Sequence, residues 1–412
     1  MTRVRAQRPR LAVFVEYYLP GFRAGGPMRS ISALAEQLGD EIDFYVVTRD
    51  RDEGSETPYP GCPPGEWIPV GRAKVRYLSP SELTARRLVA VVREVQAHAV
   101  YLNSFFAPMS LQLLLARRFG ALKGVPVVLA PRGELTPGAL QLKAVKKQAF
   151  LRFSAWTGLH AGVVFHASTE RERDEISNAI QLSAPPRIAR NAVALTAAAA
   201  GAPRPKMPGA ARFVFLSRIT RKKNLHVALE LLQQVDGSVT LDIYGPVIDP
   251  AYWRECVAVI ERMPPNVAVT YRGAIAHDDV ASALSAHHFF LLPTASENFG
   301  HAIVEALAAG CPLVTSDQTP WTALRQRGIG WDLPLDDRHA WRDALQACVD
   351  MGGAAYTDAS SKASRFAEQI AATDIAAEHR RLFESIVDAA RAGRADGDAK
   401  SPAVAAAGSM TP

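Results

Sequence analysis

The feature that most constrains this chain is an alternation of short apolar runs with amphipathic helical stretches, which continues along most of its 412 residues. One apolar run covers residues 11–15, and another covers residues 288–292. Such runs are typical of parallel strands, because helical crossovers cover both faces of a parallel sheet. The alternation therefore predicts an α/β protein built on parallel sheets.

The alternation is interrupted at residues 196–211, which are rich in Ala and Pro. We interpret this stretch as a linker between an N-terminal domain (residues 1–195) and a C-terminal domain (residues 212–365), since a chain of this length commonly forms two domains. Helical periodicity at residues 366–390 predicts a C-terminal helix. Residues 391–412 lack periodicity and are predicted to be disordered.

Charge and cysteine content narrow the class of protein. A net charge of +6 is compatible with a nucleic acid, an anionic membrane or a phosphorylated substrate. The four cysteines lie far apart and include no Cys-x-x-Cys pair, which argues against a zinc cluster and for a reducing compartment. No apolar run reaches the roughly 18 residues that cross a membrane. We therefore expect a cytoplasmic protein without a membrane span.

Residues 288–310 combine a predicted strand, a polar turn and a helix, with Glu297 in the turn and Glu305 in the helix. Gly310 is expected to end the helix. Three polar side chains are candidates to cap its N-terminus: Thr294, Ser296 and Asn298. A carboxylate among the apolar neighbours of Glu305 is costly unless it has a hydrogen-bonding partner. The alternative is a glutamate on the solvent-exposed face of an amphipathic helix.

A second polar segment follows the predicted strand at residues 213–216. It contains four cations within six residues: Arg218, Arg221, Lys222 and Lys223. Cations at the carboxyl end of a strand suit a polyphosphate, because charge-assisted hydrogen bonds to phosphate are strong. The alternative is a solvated loop.

The N-terminal half has comparable strand ends. Asn103 ends one predicted strand, and the segment 131–134 follows the next. Ligands of open α/β sheets gather at the carboxyl ends of strands, so we expect both to face one crevice. Gly25-Gly26, between the first strand and its helix, would let the backbone approach a ligand closely. A plain connecting turn is the alternative, and the Gly-x-Gly-x-x-Gly fingerprint of nicotinamide sites is missing.

Residues 140–152 predict a basic amphipathic helix, in which Lys143, Lys146 and Lys147 lie at helical spacing beside apolar residues. Such a helix can lie on an anionic membrane surface. The alternative is a solvated helix face. Nucleic-acid binding is not favoured, because no aromatic-rich strand, zinc-ligand spacing or known recognition helix accompanies the charge.

The order of these motifs resembles that of the family-4 retaining glycosyltransferases, in particular the group that builds bacterial capsules, exopolysaccharides and lipopolysaccharides. Arg218 and Lys223 match the Arg and Lys with which the family binds the donor diphosphate. Glu297 and Glu305, with Phe-Gly between them, match its glutamate pair, of which the first contacts the donor sugar and the second binds the ribose hydroxyls. A helix N-terminus beside them fits, because its N–H groups and dipole attract phosphate.

The chain departs from the family pattern in several places. Ser217 stands where a Gly commonly precedes the Arg, and Asn224 stands where a Gly often follows the Lys. Many relatives have a His in the N-terminal active-site loop, and here Arg132 occupies the comparable place. The resemblance therefore leaves the identity of any general base open.

The resemblance implies the GT-B fold, in which two Rossmann-like domains face each other across a cleft and the C-terminal helix returns to the N-terminal domain. The C-terminal domain would bind a nucleotide diphosphate-sugar, and the N-terminal domain would bind a glycan or polyprenyl-diphosphate-linked acceptor. The expected site residues are the catalytic Arg218, Lys223 and Glu297; the donor-binding Gly245, Asn298, Phe299, Gly300 and Glu305; and an acceptor or diphosphate loop with Gly25, Gly26, Asn103, Arg132 and Gly133.

The implied activity is metal-independent transfer of a sugar, with retention of its anomeric configuration, to a lipid-linked or nascent surface polysaccharide. Neither a cofactor nor a nucleic acid is implied. The implied location is the cytoplasm, at the inner face of the plasma membrane if the basic helix binds lipid. Two alternatives stay open: a sugar-nucleotide epimerase or nucleotide-sugar-binding protein on the same fold, and a basic module that binds membrane or nucleic acid.

Overall fold

The computed structural model describes residues 8–23, 25–141, 144–193 and 204–399, with side chains through residue 388. Its strands form an N-terminal sheet of eight strands and a C-terminal sheet of six. The strands of both sheets pair in parallel, apart from one antiparallel hairpin at the edge of the N-terminal sheet. The α/β class predicted from the alternation is therefore confirmed.

The N-terminal strands are β1 (Arg10–Phe14), β2 (Asp43–Arg49), β3 (Trp67–Val70), β4 (Ala73–Leu78), β5 (Ala99–Asn103), β6 (Val127–Ala130), β7 (Val164–Ala167) and β8 (Arg187–Ile188), in the order β3-β4-β2-β1-β5-β6-β7-β8. Their helices are α1 (Gly26–Leu38), α2 (Ala85–Glu94), α3 (Pro108–Arg118), α4 (Pro137–Gln141), α5 (Ala144–Thr157) and α6 (Glu170–Ala179). The hairpin of β3 and β4 is not predicted by the sequence pattern.

The C-terminal strands are β9 (Ala210–Leu216), β10 (Ser238–Tyr244), β11 (Val267–Gly273), β12 (Phe289–Leu292), β13 (Leu313–Ser316) and β14 (Gly330–Leu333), in the order β11-β10-β9-β12-β13-β14. Their helices are α7 (Leu225–Leu232), α8 (Pro250–Ile260), α9 (His277–Ser285), α10 (His301–Ala308), α11 (Leu324–Arg327) and α12 (Arg338–Asp350). A single 3-10 turn, Arg221–Lys223, precedes α7.

Strand β12 illustrates what holds the C-terminal sheet together. It pairs with β9 on one side and β13 on the other, and each of its four side chains is at most 1% exposed. Burying a large apolar side chain contributes roughly 1.5–3 kcal/mol. This buried strand ends at Leu292, so the polar turn 293–300 lies at the carboxyl end of the sheet.

The C-terminal segment forms two helices, α13 (Gly353–Ala372) and α14 (Ile375–Ala399). Helix α13 packs on the C-terminal core, whereas α14 buries Leu382, Phe383 and Ile386 in the N-terminal core. The chain thus crosses back after α13, about nine residues later than the predicted start of the returning helix at residue 366.

Two predicted boundaries need correction. Residues 391–399 were expected to be disordered, but their backbone continues α14, because a helix that has already formed extends more easily than a new one begins. Residues 400–412 lie outside the described residues. The predicted linker also falls largely outside them, and its last two positions belong to β9, which begins at Ala210.

Candidate active site

The cleft between the two domains contains a cavity of about 250 Å³. The cavity is lined by Gly25, Gly26, Arg132 and Gly133 from the N-terminal domain and by Arg218, Lys223, Gly245, Glu297, Asn298, Phe299 and Gly300 from the C-terminal domain. Of the expected site residues, only Asn103 and Glu305 are not among its lining residues. The structure therefore brings the strand ends of both sheets to one cavity, while the roles of the individual residues stay predictions.

The N-terminus of α10 borders this cavity and has no side-chain cap. Capping by Thr294, Ser296 or Asn298 is therefore a wrong prediction, because Gly300 holds the N-cap position with a left-handed φ of 80°. The Thr294 hydroxyl instead donates within the turn, to the carbonyl oxygen of Ser296 at 3.0 Å. Uncapped N–H groups at a helix N-terminus attract anions, so the helix presents a site for negative charge to the cavity.

Lys223 and Glu297 form an ion pair in the cavity wall, in which Lys223 Nζ donates to Glu297 Oε2. Asn224 follows with a left-handed φ of 53°, which Asn tolerates, and this explains its presence where relatives often have Gly. Burial raises the pKa of Glu297, but the positive charges of Lys223, Lys222 and Arg218 outweigh burial and hold the pKa below its ordinary value. The carboxylate is therefore ionised at neutral pH.

Arg218 lies at the end of β9 and reaches across the cleft to Glu53, with 3.4 Å between its Nη1 and Glu53 Oε2. The guanidinium is partly exposed, so this pair contributes little stability by itself. The neighbouring Asp52 accepts from the backbone N–H groups of Phe22 (2.9 Å) and Arg23 (3.2 Å) and fixes the segment between β1 and α1. Both acidic residues lie in the long polar loop before β3, and sequence reasoning did not identify them.

Gly245 lies at the turn after β10, with a φ of 138°. A Cβ atom at this position would lie 1.9 Å from the carbonyl oxygen of Ser217. Only glycine therefore allows this turn to pack against the turn that carries Arg218.

Glu305 pairs with Arg29 of α1, across the domain boundary. The alternative of a solvent-exposed glutamate is wrong, because the Glu305 side chain is only 13% exposed. Its other oxygen, Oε2, is buried and has no hydrogen-bonding partner among the described residues. Beside this pair, Ser30 Oγ and His301 Nε2 lie 2.8 Å apart. Sequence reasoning missed Arg29, Ser30 and His301, because nothing near them in sequence indicates a partner on the other domain.

Arg132 projects into the cleft from the turn after β6 and has a left-handed φ of 59°. Its guanidinium donates to Asn103 Oδ1 from Nε (3.0 Å) and Nη2 (2.7 Å), to the Tyr101 hydroxyl (2.8 Å) and to Asn191 Oδ1. Asn103 therefore supports Arg132 from behind instead of lining the cavity. The adjoining Gly133 donates its N–H to Glu172 Oε1 at 2.7 Å.

Positive charge dominates the cavity. Its basic lining residues are Arg23, Arg29, Arg132, Arg218, Lys222 and Lys223. Glu297 is the only acidic side chain among the described residues that line it. Within the described parts of the chain, no three His, Cys, Asp or Glu side chains cluster as metal ligands would, and metal independence stays a prediction.

Helix α5 differs from the basic face expected for it. Lys147 Nζ donates to the carbonyl oxygen of Ala139 at 2.7 Å and lies 4.9 Å from the ring centroid of Phe106, so this lysine packs against the protein. Lys143 lies outside the described residues. The exposed face carries Lys146 and Arg152 together with large apolar side chains, with Val145 at 83% and Trp156 at 85% exposure. Among the helices of the described residues, none combines the length and the apolar character that a membrane span requires.

Models of known protein families match both of the domains that form the cleft. Residues 25–194 match the model of the glycosyl transferase 4-like domain, and residues 203–323 match that of the glycosyl transferases group 1. The chain is 27% identical over 143 residues to WcaL of Salmonella typhimurium, whose name assigns it to colanic acid biosynthesis as a glycosyltransferase. That alignment covers 33% of this chain and 35% of the relative.

Solved structures share the fold over nearly the whole chain. Anabaena Alr3699/HepE, determined in complex with UDP and glucose, superposes with a TM-score of 0.66 at 15% identity and covers 92% of this chain and 100% of its own. Sucrose-phosphate synthase of Thermosynechococcus elongatus superposes with a TM-score of 0.70 at 16% identity, covering 93% and 100%. With two Rossmann-like domains facing across a cleft and both family models matched in order, the chain belongs to the family-4 glycosyltransferases of the GT-B fold.

Proposed function

We propose that this protein transfers a sugar, with retention, from a nucleotide diphosphate-sugar to a lipid-linked or nascent surface polysaccharide. The observation that carries the proposal is the convergence of Arg218, Lys223 and the uncapped N-terminus of α10 on one cavity. Two cations and a helix N-terminus suit a diphosphate, and they would stabilise the charge that develops on it as it leaves. In this proposal no metal ion or cofactor is needed for that stabilisation.

Glu297 would accept hydrogen bonds from hydroxyls of the donor sugar. Because Lys223 already holds one of its oxygens, and because it lies beside the phosphate-binding end of α10, Glu297 is poorly placed as a nucleophile. We therefore propose that the acceptor hydroxyl bonds to the anomeric carbon on the face that the diphosphate leaves. The departing diphosphate oxygen would take the hydroxyl proton. Glu305 does not line the cavity, so its Oε2, which has no partner within the described residues, would accept from the ribose once the pair with Arg29 opens.

The class of substrate is proposed from the relatives. The structure of HepE with UDP and glucose makes a uridine diphosphate-sugar the first donor to test. The assignment of WcaL to colanic acid biosynthesis supports a surface polysaccharide as the product. Cytoplasmic location follows only if the acceptor is assembled on the inner face of the plasma membrane.

The exposed face of α5 supports a contact with that membrane. It carries Val145, Phe153 and Trp156, of which Trp156 is 85% exposed, together with the exposed Lys146 and Arg152. Apolar side chains that enter the interfacial region, flanked by cations, are the combination that binds anionic lipid surfaces. Such a contact would bring a lipid-linked acceptor to the N-terminal domain.

A thermal-shift panel with UDP, GDP and ADP, and with the matching monophosphates, tests the proposal. A ligand at about 100 times its dissociation constant stabilises the native state by roughly 2.7 kcal/mol. We expect one diphosphate to raise the melting temperature well above its monophosphate. Equal melting-temperature shifts for the diphosphate and its monophosphate would show that Arg218 and Lys223 do not bind the second phosphate. An altered nucleotide-sugar without a glycoside product would favour the epimerase alternative.

A further inference from the structure

On the N-terminal wall of the cavity, the cation of Arg132 is held by neutral hydrogen-bond acceptors. The guanidinium of Arg132 makes four hydrogen bonds, and its acceptors are neutral: Asn103 Oδ1, Asn191 Oδ1 and the Tyr101 hydroxyl. Ion pairs at the cleft belong to Arg29, Arg218 and Lys223. Among the described residues, no carboxylate pairs with Arg132.

The donor and the acceptor of each hydrogen bond around Arg132 can be assigned. His166 Nε2 lies 2.7 Å from the carbonyl oxygen of Ala189, so it must donate. Because burial keeps His166 neutral, its Nδ1 is an acceptor, and the Tyr101 hydroxyl, 2.8 Å away, donates to it. The Tyr101 oxygen is left to accept from Arg132. The chain therefore orients the guanidinium without neutralising its charge.

The surrounding titratable groups preserve that charge. Burial, with the neighbouring His379 imidazole and the charge of Arg132, lowers the pKa of His166 well below its ordinary value, so His166 is neutral. Glu172 is the nearby carboxylate, but its oxygens accept from the N–H of Gly133 and from the N–H and hydroxyl of Ser168. A partly buried cation without a counter-ion is costly unless a ligand supplies one.

Two donors remain for such a ligand. A guanidinium has five N–H groups, and four are used, which leaves one on Nη1. Asn191 accepts from Arg132 through Oδ1, and its Nδ2 has no partner among the described residues. Both side chains line the cavity. A guanidinium N–H beside an amide NH₂ matches the oxygens of a carboxylate or phosphate.

The position of Arg132 places these two N–H groups next to the part of the cleft that is proposed to bind the nucleotide-sugar. A Cβ atom at Gly133 would lie 3.0 Å from Asn298 Cβ, so the turn that carries Arg132 packs directly on the turn that carries Glu297. The diphosphate-binding cations Arg218 and Lys223 belong to the other domain. An anion bound at Arg132 would therefore lie next to the turn that carries Glu297, the residue proposed to contact the donor sugar.

We propose that Arg132 and Asn191 form a second anion site, which binds a carboxylate or phosphate carried by a substrate next to the reacting sugar. The inference rests on the proposed function, since it assumes that Arg218 and Lys223 bind the donor diphosphate. The anion has two possible sources. It is either the carboxylate of a uronic acid in the donor or a phosphate in the acceptor.

The test uses the full chain with Arg132→Gln, and with Arg23→Gln as a matched control that removes the same charge from the same cavity. In one arm, the protein is saturated with UDP and titrated with inorganic phosphate by calorimetry. In the other arm, the affinities for UDP-glucuronate and UDP-glucose are compared. Loss of a charge-assisted contact weakens binding about tenfold or more.

An acceptor phosphate is identified if the UDP-saturated protein binds phosphate and Arg132→Gln, but not Arg23→Gln, weakens that binding about tenfold or more. A donor carboxylate is identified if UDP-glucuronate binds more tightly than UDP-glucose and Arg132→Gln removes the preference. Unchanged UDP affinity in Arg132→Gln shows that the fold and the diphosphate site are intact. If UDP binds and neither anion responds to Arg132, the second anion site is wrong.

Failure of the proposed function gives a different result. In that case none of UDP, GDP and ADP binds the unsubstituted protein. Phosphate titration of the ligand-free protein then still decides the anion site. A tenfold loss in Arg132→Gln relative to Arg23→Gln supports it, and equal affinities overturn it.

Discussion

On the C-terminal wall of the cleft, Lys223 is held by the carboxylate of Glu297, whereas on the N-terminal wall Arg132 is held by neutral oxygens. Arg218 follows the C-terminal pattern, since its partner Glu53 is also a carboxylate. Arg132 therefore differs from Lys223 and Arg218, and also from its neighbour on the N-terminal wall, Arg29, in that no carboxylate among the described residues pairs with it before a ligand arrives.

This difference has a consequence for ligand binding. When a phosphate arrives, a cation that is paired with a carboxylate must either bind both anions or release the carboxylate. In both cases the two side chains rearrange. A cation that is oriented by neutral groups keeps its charge and its position, which is the arrangement of a preorganised site. We expect donor binding to disturb the C-terminal pairs more than it disturbs Arg132.

The largest effect should come from removing the paired cations of the C-terminal wall. Arg218→Ala or Lys223→Ala each removes charge-assisted contacts to the leaving diphosphate, worth about 1.5–3 kcal/mol in binding and more in the transition state. We expect turnover to fall by orders of magnitude and nucleoside diphosphate affinity to fall at least tenfold. Arg221→Ala is the matched control, because Arg221 lies in the same 3-10 turn and pairs with Glu255 away from the cavity. Normal turnover in both variants would exclude the assignment.

The next effect concerns Glu297. Glu297→Gln should be impaired but active, because an amide still accepts a hydrogen bond, and Glu297→Ala should be much worse. Nearby cations hold the pKa of Glu297 below its ordinary 4.5, so the stability gained from the ion pair is present above pH 4.5 and is lost as pH falls through the lower folded pKa.

The pH dependence is measured by denaturant unfolding of the unsubstituted protein and Glu297→Gln. The difference in unfolding free energy, about 1–3 kcal/mol at neutral pH, should shrink as the solution is acidified below pH 4.5. A difference that stays constant down to pH 3 would show that the pair does not stabilise the fold.

A smaller effect is expected from the cross-cleft pair of Arg29 and Glu305. Arg29→Ala leaves a buried carboxylate without a partner and should lower the free energy of unfolding by about 1–3 kcal/mol. The double variant Arg29→Ala with Glu305→Gln should recover part of that loss. Calorimetric unfolding measures both, and additive losses would mean that the two residues are not coupled.

The smallest effect tests the membrane contact of the N-terminal domain. Trp156→Glu together with Lys146→Glu should reduce flotation with anionic vesicles, since each cation near an anionic surface contributes about 1 kcal/mol. Flotation of the unsubstituted protein should weaken as salt rises. Met207→Glu, an exposed apolar position in the segment just before β9, is the control. Equal flotation with neutral and anionic vesicles would count against the contact.

The residues that line the cavity and their partners from the other domain differ in how far the sequence predicts them. Arg218, Lys223 and Glu297 lie just beyond apolar strands, so local pattern and family resemblance together place them at one cavity. The partners Glu53 and Arg29 come from other elements brought near only by the packing of the two domains. No local pattern encodes such contacts.

The role of Asn103 shows the same limit within one domain. Its place at the end of β5 is predicted, yet whether its side chain lines the cavity or supports Arg132 depends on the turn after β6. The N-cap of α10 is a related case. Three good capping residues lie nearby, but the turn continues to Gly300, whose left-handed conformation starts the helix.

The configuration of the first sugar released from the donor distinguishes front-face attack from the alternatives. The protein is incubated with an α-linked UDP-sugar, or with the donor of whichever diphosphate the thermal-shift panel selects, and proton NMR records the anomeric signal before mutarotation. We predict an α-configured sugar or glycoside together with the free nucleoside diphosphate. A β-configured product, or a glycosyl adduct trapped on Glu297, would contradict the proposed front-face mechanism.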